Sequence, residues 1–191
     1  MTVKGHTLLA NNALLFTIYI TNTSLENYSY INLLIFYSFF ILGVVLVDID
    51  EPKSFIGRKL FFISYPFKII NLLIIFVISF FTKNKSIKRV FEHRGFTHMF
   101  IFPVLIFASS FLTNGYLNLY IKLLAFGVLL HQMGDLITNS GIRNYLFPLP
   151  FENVKLFITF DTDSFFEKIV NTFLSLLLTY QIFILFNKGF L

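Results

Sequence analysis

The stretch HRGFTHM, residues 93–99, places His93 and His98 around Arg94 directly before an apolar run. Downstream, HQMGD sets His131 and Asp135 four residues apart, which puts both on one face of a helix. Imidazole and carboxylate at that spacing can grip one cation. Two further pieces carry the same chemistry. DID offers Asp48 and Asp50, whose carboxylates would approach one point if the backbone were extended, and GHT offers His6 at the start of a helix. These seven residues include all four histidines of the chain and three of its ten acidic residues. With no cysteine in the sequence, thiolate ligation is excluded and any metal must sit on nitrogen and oxygen. Zinc is the first expectation, with manganese second. Seven candidates exceed the four ligands of one zinc, so one or two ions are expected. Each element also has a plainer reading. DIDEP would serve as an acidic turn before Pro52, His131 and Asp135 as a hydrogen-bonded couple, and Thr97 as a helix cap.

The elements that must position these groups are apolar. The chain has 191 residues, 56% hydrophobic and 13% charged, with a mean hydropathy of +0.75. Apolar segments run over about 7–21, 31–47, 60–82, 98–113, 117–138 and 168–187. The expected fold is all-α, a polytopic membrane helical bundle forming one domain over 1–191, with the first helix retained and the lipid bilayer as its partner. The net charge of +5 sits in a few loops. Loop 48–59 holds Lys53, Arg58 and Lys59, and loop 83–97 holds Lys83, Lys85, Lys88, Arg89 and Arg94. Loop 139–167 holds Arg143 and Lys155, whereas loops 22–30 and 114–116 have no basic residue. The excess of Lys and Arg on cytoplasmic loops places the first three inside. Segment 60–82 separates two basic loops and contains Pro66, Lys68 and Asn71, so it is expected to be re-entrant or interfacial. That leaves about five spanning helices and gathers the seven candidate ligands at the cytoplasmic side. Nucleic acid is not an expected partner, because the basic loop lacks the interleaved aromatics of a binding groove. Ser164 and Glu167 form a capping box that opens the last helix.

GHT, DIDEPKSFIGRK, HRGFTHM and HQMGDLITNSGIRNYLFPLP, in this order over about residues 5–170, resemble the motifs of the YdjM-like family of membrane proteins. These are bacterial and archaeal, in some bacteria under the LexA damage regulon, and described as metal-dependent hydrolases. The resemblance implies the cell (inner) membrane as the location. The family is similar in turn to the all-helical zinc phospholipase C and P1 nuclease superfamily, where His-x-x-x-Asp pairs hold zinc. His131 and Asp135 match that pattern. This chain has one such pair and no Trp, and Glu51 stands where many relatives place a His.

The expected activity is hydrolysis of a phosphoester, a phospholipid or another membrane-associated substrate, by metal-activated water at the cytoplasmic face. His6, Asp48, Asp50, His93, His98, His131 and Asp135 are the candidate ligands. Asp50 or Asp135 would bridge metals or act as base, and Arg94 and Arg58 would hold the phosphate. A divalent-cation transporter and a non-catalytic metal protein are the alternatives. Clustering at one membrane face, without an inverted repeat, argues against the transporter.

Overall fold

The computed structural model describes residues 1–21, 28–81, 96–143, 145–146, 153–157 and 159–188. It is built of α1 (Val3–Thr21), α2 (Tyr30–Leu46), α3 (Phe55–Lys59), α4 (Phe61–Phe81), α5 (Ile101–Ser109), α6 (Gly115–Leu136) and α7 (Phe165–Asn187). Single 3-10 turns cover Val47–Asp50, Phe96–His98 and Ser110–Leu112. Among the described residues the helices are joined by a minimal antiparallel ladder, Ile142–Arg143 on Asn153–Val154, and by an isolated bridge between Thr138 and Phe160. Serines open three helices by accepting an amide proton three residues on: Ser29 from Asn32, Ser54 from Gly57 and Ser164 from Glu167. The expected capping box is half formed. The Glu167 carboxylate bypasses Ser164 and accepts from the Asp163 amide at 2.6 Å.

Two parallel pairs make the bundle. In the first, Phe36 meets Tyr116 and Tyr120, Phe40 meets Phe126, and the Val44 carbonyl meets His131, so α2 and α6 run in the same direction. In the second, Gly5 lies against Asn171, the Asn12 amide donates to the Leu174 carbonyl at 2.9 Å, and Lys188 reaches Tyr19. Thus α1 and α7 are also parallel. Ala10, Phe40 and Val44 form the buried core where the pairs meet, with Leu14, Ile41, Leu123, Phe126 and Leu130 around it. Small residues set the α2–α6 distance. A methyl on Gly43 would collide with the Leu124 carbonyl oxygen, and one on Gly127 with that of Phe40. Membrane helices use such residues to bring backbones together, since lipid supplies no hydrophobic drive between them.

Large apolar side chains cover the outside, among them Ile31 and Leu34 on α2 and Phe173, Leu176 and Phe183 on α7. An aqueous surround would not tolerate so continuous an apolar surface, so the bundle faces lipid. Among the described residues, Tyr30–Asp50, Gly115–Leu136 and Phe165–Asn187 are long and apolar enough to cross a membrane, with mean hydropathies of 2.4, 1.2 and 1.9. This falls short of the five spans expected. Lys4, His6, Asn11 and Asn12 dilute α1, and Ile101–Leu112, at about 1.5 Å per residue, covers only about 18 Å. For 60–82, expected to be re-entrant or interfacial, the structure shows one unbroken helix, α4. Pro66 lies near its start and forgoes only the bond to the Phe62 carbonyl, which the remaining turns outlast.

Gly43→Val and Gly127→Val should each destabilise the detergent-solubilised protein by about 1–3 kcal/mol through overpacking. Thermal unfolding followed by circular dichroism reads this. Leu34→Ala on the lipid-facing surface should leave the transition nearly in place.

Candidate metal centre

Four elements deliver donors to one end of the bundle. His6 comes from the second turn of α1, Asp48 from the 3-10 turn that ends α2, His98 from the turn before α5, and His131 and Asp135 from the last turns of α6. Because α2 and α6 are parallel, both present C-terminal ends here. Unpaired carbonyls and the negative pole of each helix dipole favour a cation at that place.

The side chains converge closely. Asp135 Oδ1 lies 3.4 Å from His6 Nε2 and 3.4 Å from the Met1 amine. Asp135 Oδ2 lies 3.3 Å from His98 Nε2 and 3.5 Å from His131 Nε2. Asp48 Oδ1 faces His98 Nε2 at 3.5 Å and His131 Nε2 at 3.8 Å. Good hydrogen bonds are shorter, about 2.7–3.2 Å. Four ligands at about 2.0–2.1 Å around a tetrahedral zinc stand about 3.3–3.4 Å from one another, which is close to the spacing found. Two triads have all donor atoms within 4.8 Å of each other: His6, His131 and Asp135, and Asp48, His98 and His131. A void of about 10 Å³, roughly one water, lies between His6, Asp48 and His131, walled by Val3, Val44, Val45 and Ile56. The donor set therefore fits a zinc-like ion.

The rings are held from behind. His131 Nδ1 donates to the Val44 carbonyl at 2.6 Å, which fixes the proton on Nδ1 and leaves the Nε2 lone pair facing the carboxylates. His6 stacks on His131 with centroids 3.9 Å apart and planes 3° from parallel. Gly134 makes this possible, since a methyl there would run into the His6 ring. Glu167, itself buried, accepts from the Thr2 amide at 2.6 Å and the Thr2 hydroxyl at 2.8 Å, tying the start of α1 to α7. Behind His98, the Thr97 hydroxyl meets Nδ1 at 3.2 Å, and the Gln132 amide bonds the carbonyls of Thr97 and Met99. The sequence reading overlooked Gln132, Gly134 and the Glu167–Thr2 tie. A glutamine next to His131 in an otherwise apolar helix was the available signal for the first.

His6, His98, His131 and Asp135 are 0–3% exposed, whereas the Asp48 side chain is 24% exposed and opens the site. Asp50 is buried yet belongs to neither triad. The reason is local geometry: a 3-10 turn has three residues per revolution, so positions 48 and 50 point about 120° apart where an extended chain would have aligned them. Glu51 turns away to Lys68 at 3.6 Å and the Lys53 amide at 3.2 Å. Arg58 is exposed on α3, two residues from Ile56 in the wall of the void. Thr97 sits inside a 3-10 turn and caps no helix. Asp161 accepts from the Asn139 side chain, away from the centre. His93 and Arg94 lie outside the described residues.

Burial disfavours charge on His98, but the carboxylates of Asp135 and Asp48 outweigh it and raise its pKa to about 9. A cation must displace that proton. Zinc affinity should therefore fall about tenfold for each pH unit below 9, as measured by competition with a chelator. An affinity unchanged between pH 7 and 9 would contradict this. Asp135→Asn, which removes the carboxylate facing all three imidazoles, should weaken the binding of an added divalent cation at least tenfold, as read by the same competition.

Known proteins match this chain at the level of sequence. A family model described as YdjM inner membrane protein matches residues 1–189. The inner membrane protein YdjM of Escherichia coli (strain K12) is 32% identical over 106 residues, as is that of Shigella flexneri. The match takes in 53% of this chain and spans only 44% of the length of those two relatives. The uncharacterized protein YvsG of Bacillus subtilis (strain 168) is 31% identical over 149 residues, 76% of this chain and 77% of its own. No solved structure matches. With apolar helices of spanning length and a match over nearly its whole length, the chain is a membrane protein and belongs to the YdjM inner membrane protein family.

Proposed function

We propose that this protein is a membrane-bound, metal-dependent hydrolase of a phosphoester presented at the cytoplasmic face of the cell membrane. The observation that carries this reading is the convergence of three imidazoles and two carboxylates at zinc-like spacing, beside a water-sized void lined by His6, Asp48 and His131, where Asp48, the partly exposed donor, opens the site. A closed cage of buried ligands would need no such opening. Zinc suits the donors best, with manganese second, and the two triads share His131, so one ion or two adjacent ions can be held. When bound, such an ion makes a water acidic, with a pKa near about 7.

The chain's own groups do the rest. His131, locked by Val44, and Asp135 define where the ion sits. Asp48 is the carboxylate within reach of an incoming water, so it takes the role of base that was expected of Asp50 or Asp135. Arg58 binds the phosphoryl oxygens with its planar fork. Lys53 and Lys59 meet anionic headgroups. His93 and Arg94 are assigned to metal and phosphate from the sequence alone. The chain leaves the Val47–Asp50 turn through α3 and α4 and packs against that same turn again at Phe96–His98. We therefore place α4 along the cytoplasmic interface, its Lys68 directed to Glu51.

The test is hydrolysis of bis(p-nitrophenyl) phosphate and of phosphatidylglycerol vesicles by the zinc-loaded protein in detergent or liposomes. Turnover should vanish with the bound zinc in Asp135→Ala and His131→Ala. It should fall about 10–100-fold in Arg58→Gln while zinc content stays unchanged, the loss expected for a charged hydrogen bond. Bound zinc with no turnover on either substrate would favour a structural metal, and no bound zinc would end the hydrolase reading.

A further inference from the structure

We propose that Gln132 is a positioning residue: it docks the backbone on both sides of His98 onto α6 and thereby sets the His98 imidazole against Asp135. The proposal rests on the reading of this cluster as a metal centre. His98 stands on a three-residue 3-10 turn, an element too short to hold a ring by its own packing. The Gln132 amide nitrogen carries two protons and spends them on the two carbonyls that flank His98, Thr97 at 3.1 Å and Met99 at 3.0 Å. The side chain is fully buried. Its oxygen, Oε1, has no hydrogen-bond partner among the described residues. Leaving a buried acceptor bare is costly, so the amide is oriented by its donors.

Position on the helix explains why this residue serves. Gln132 follows His131 by one residue and precedes Asp135 by three, so it flanks the donor face of α6 without entering it. One helix consequently fixes three donors, two directly and His98 through its backbone. The Phe100 amide, bonded to the Tyr145 carbonyl at 2.9 Å, anchors the far side of the same turn. No other neutral side chain of this length offers two N–H groups from one atom. Leucine has the bulk without the donors, and asparagine is one methylene too short to reach both carbonyls.

Two measurements on the full chain in detergent test this. The first is cobalt(II) titration with the visible d–d spectrum as readout. Gln132→Leu should weaken affinity about 10–100-fold and shift the spectrum towards that of His98→Ala, with Gln132→Asn in between. In the His98→Ala background, Gln132→Leu should cost nothing further. An unchanged affinity, or the same loss with and without His98, would overturn the proposal. The second is amide hydrogen exchange across 96–100 in metal-free protein, which should quicken at least tenfold in Gln132→Asn; unchanged exchange would equally overturn it. If the wild type takes up no cobalt, the metal-centre reading fails, and the exchange comparison still decides whether Gln132 holds the turn.

Discussion

A carboxylate at the end of an apolar helix is the constraint around which this molecule is arranged. On insertion scales a charged Asp within a membrane helix costs about 2.5–3.5 kcal/mol at the centre, and less near the interface. Asp135 is 1% exposed, so water does not relieve that cost. Three imidazoles do, His6 and His98 from two other segments of chain and His131 from the same helix face. Much of the remaining architecture can be understood as what brings those partners there. The Glu167–Thr2 tie fixes where α1 begins, Gly134 admits the His6 ring, and the Val44 carbonyl sets the His131 tautomer.

The direction of the helices contributes as much as the side chains. An alternating up-down bundle would mix helix starts and ends within each packed pair. Here the parallel pairing of α2 with α6 gathers two negative poles beside the donors, while α1 brings its N-terminal end, with His6, to the same place. The two C-terminal poles favour a cation there before any ionisable group is counted, and the start of α1 opposes them. Asp163, held in a left-handed conformation, and Glu167 stand at the positive starts of α7 and α1, where carboxylates are favoured.

Five of the seven candidate ligands legible in the sequence meet in space or line the opening, because their signal was chemical: ionisable groups in apolar surroundings. Asp48 and Asp50 show the limit. Residue types suggested a pair of carboxylates, but whether they aim together depends on a local twist that composition does not encode, and the 3-10 turn separates them. The helices were legible to within a few residues for α2, α6 and α7, where apolar runs are long. The segment 60–82 was harder. Pro66 and Lys68 read as interruptions, yet Lys68 finds Glu51 and the helix continues. The supports behind the rings left little trace, since a backbone carbonyl such as that of Val44 has no residue type to betray it.

The glycine contact between α2 and α6 has a consequence for how such a chain can vary. Gly43 and Gly127 lock the two backbones at one height, and the donors follow at fixed counts along each helix: Asp48 five residues after Gly43, His131 and Asp135 four and eight after Gly127. One residue added or removed in either interval would turn every donor beyond it by about 100° and slide it by about 1.5 Å. Side chains on the lipid-facing surface can drift freely among apolar types. The spacing cannot drift at all, so the inheritance that matters between Gly43 and Asp48, and between Gly127 and Asp135, is one of length before it is one of identity.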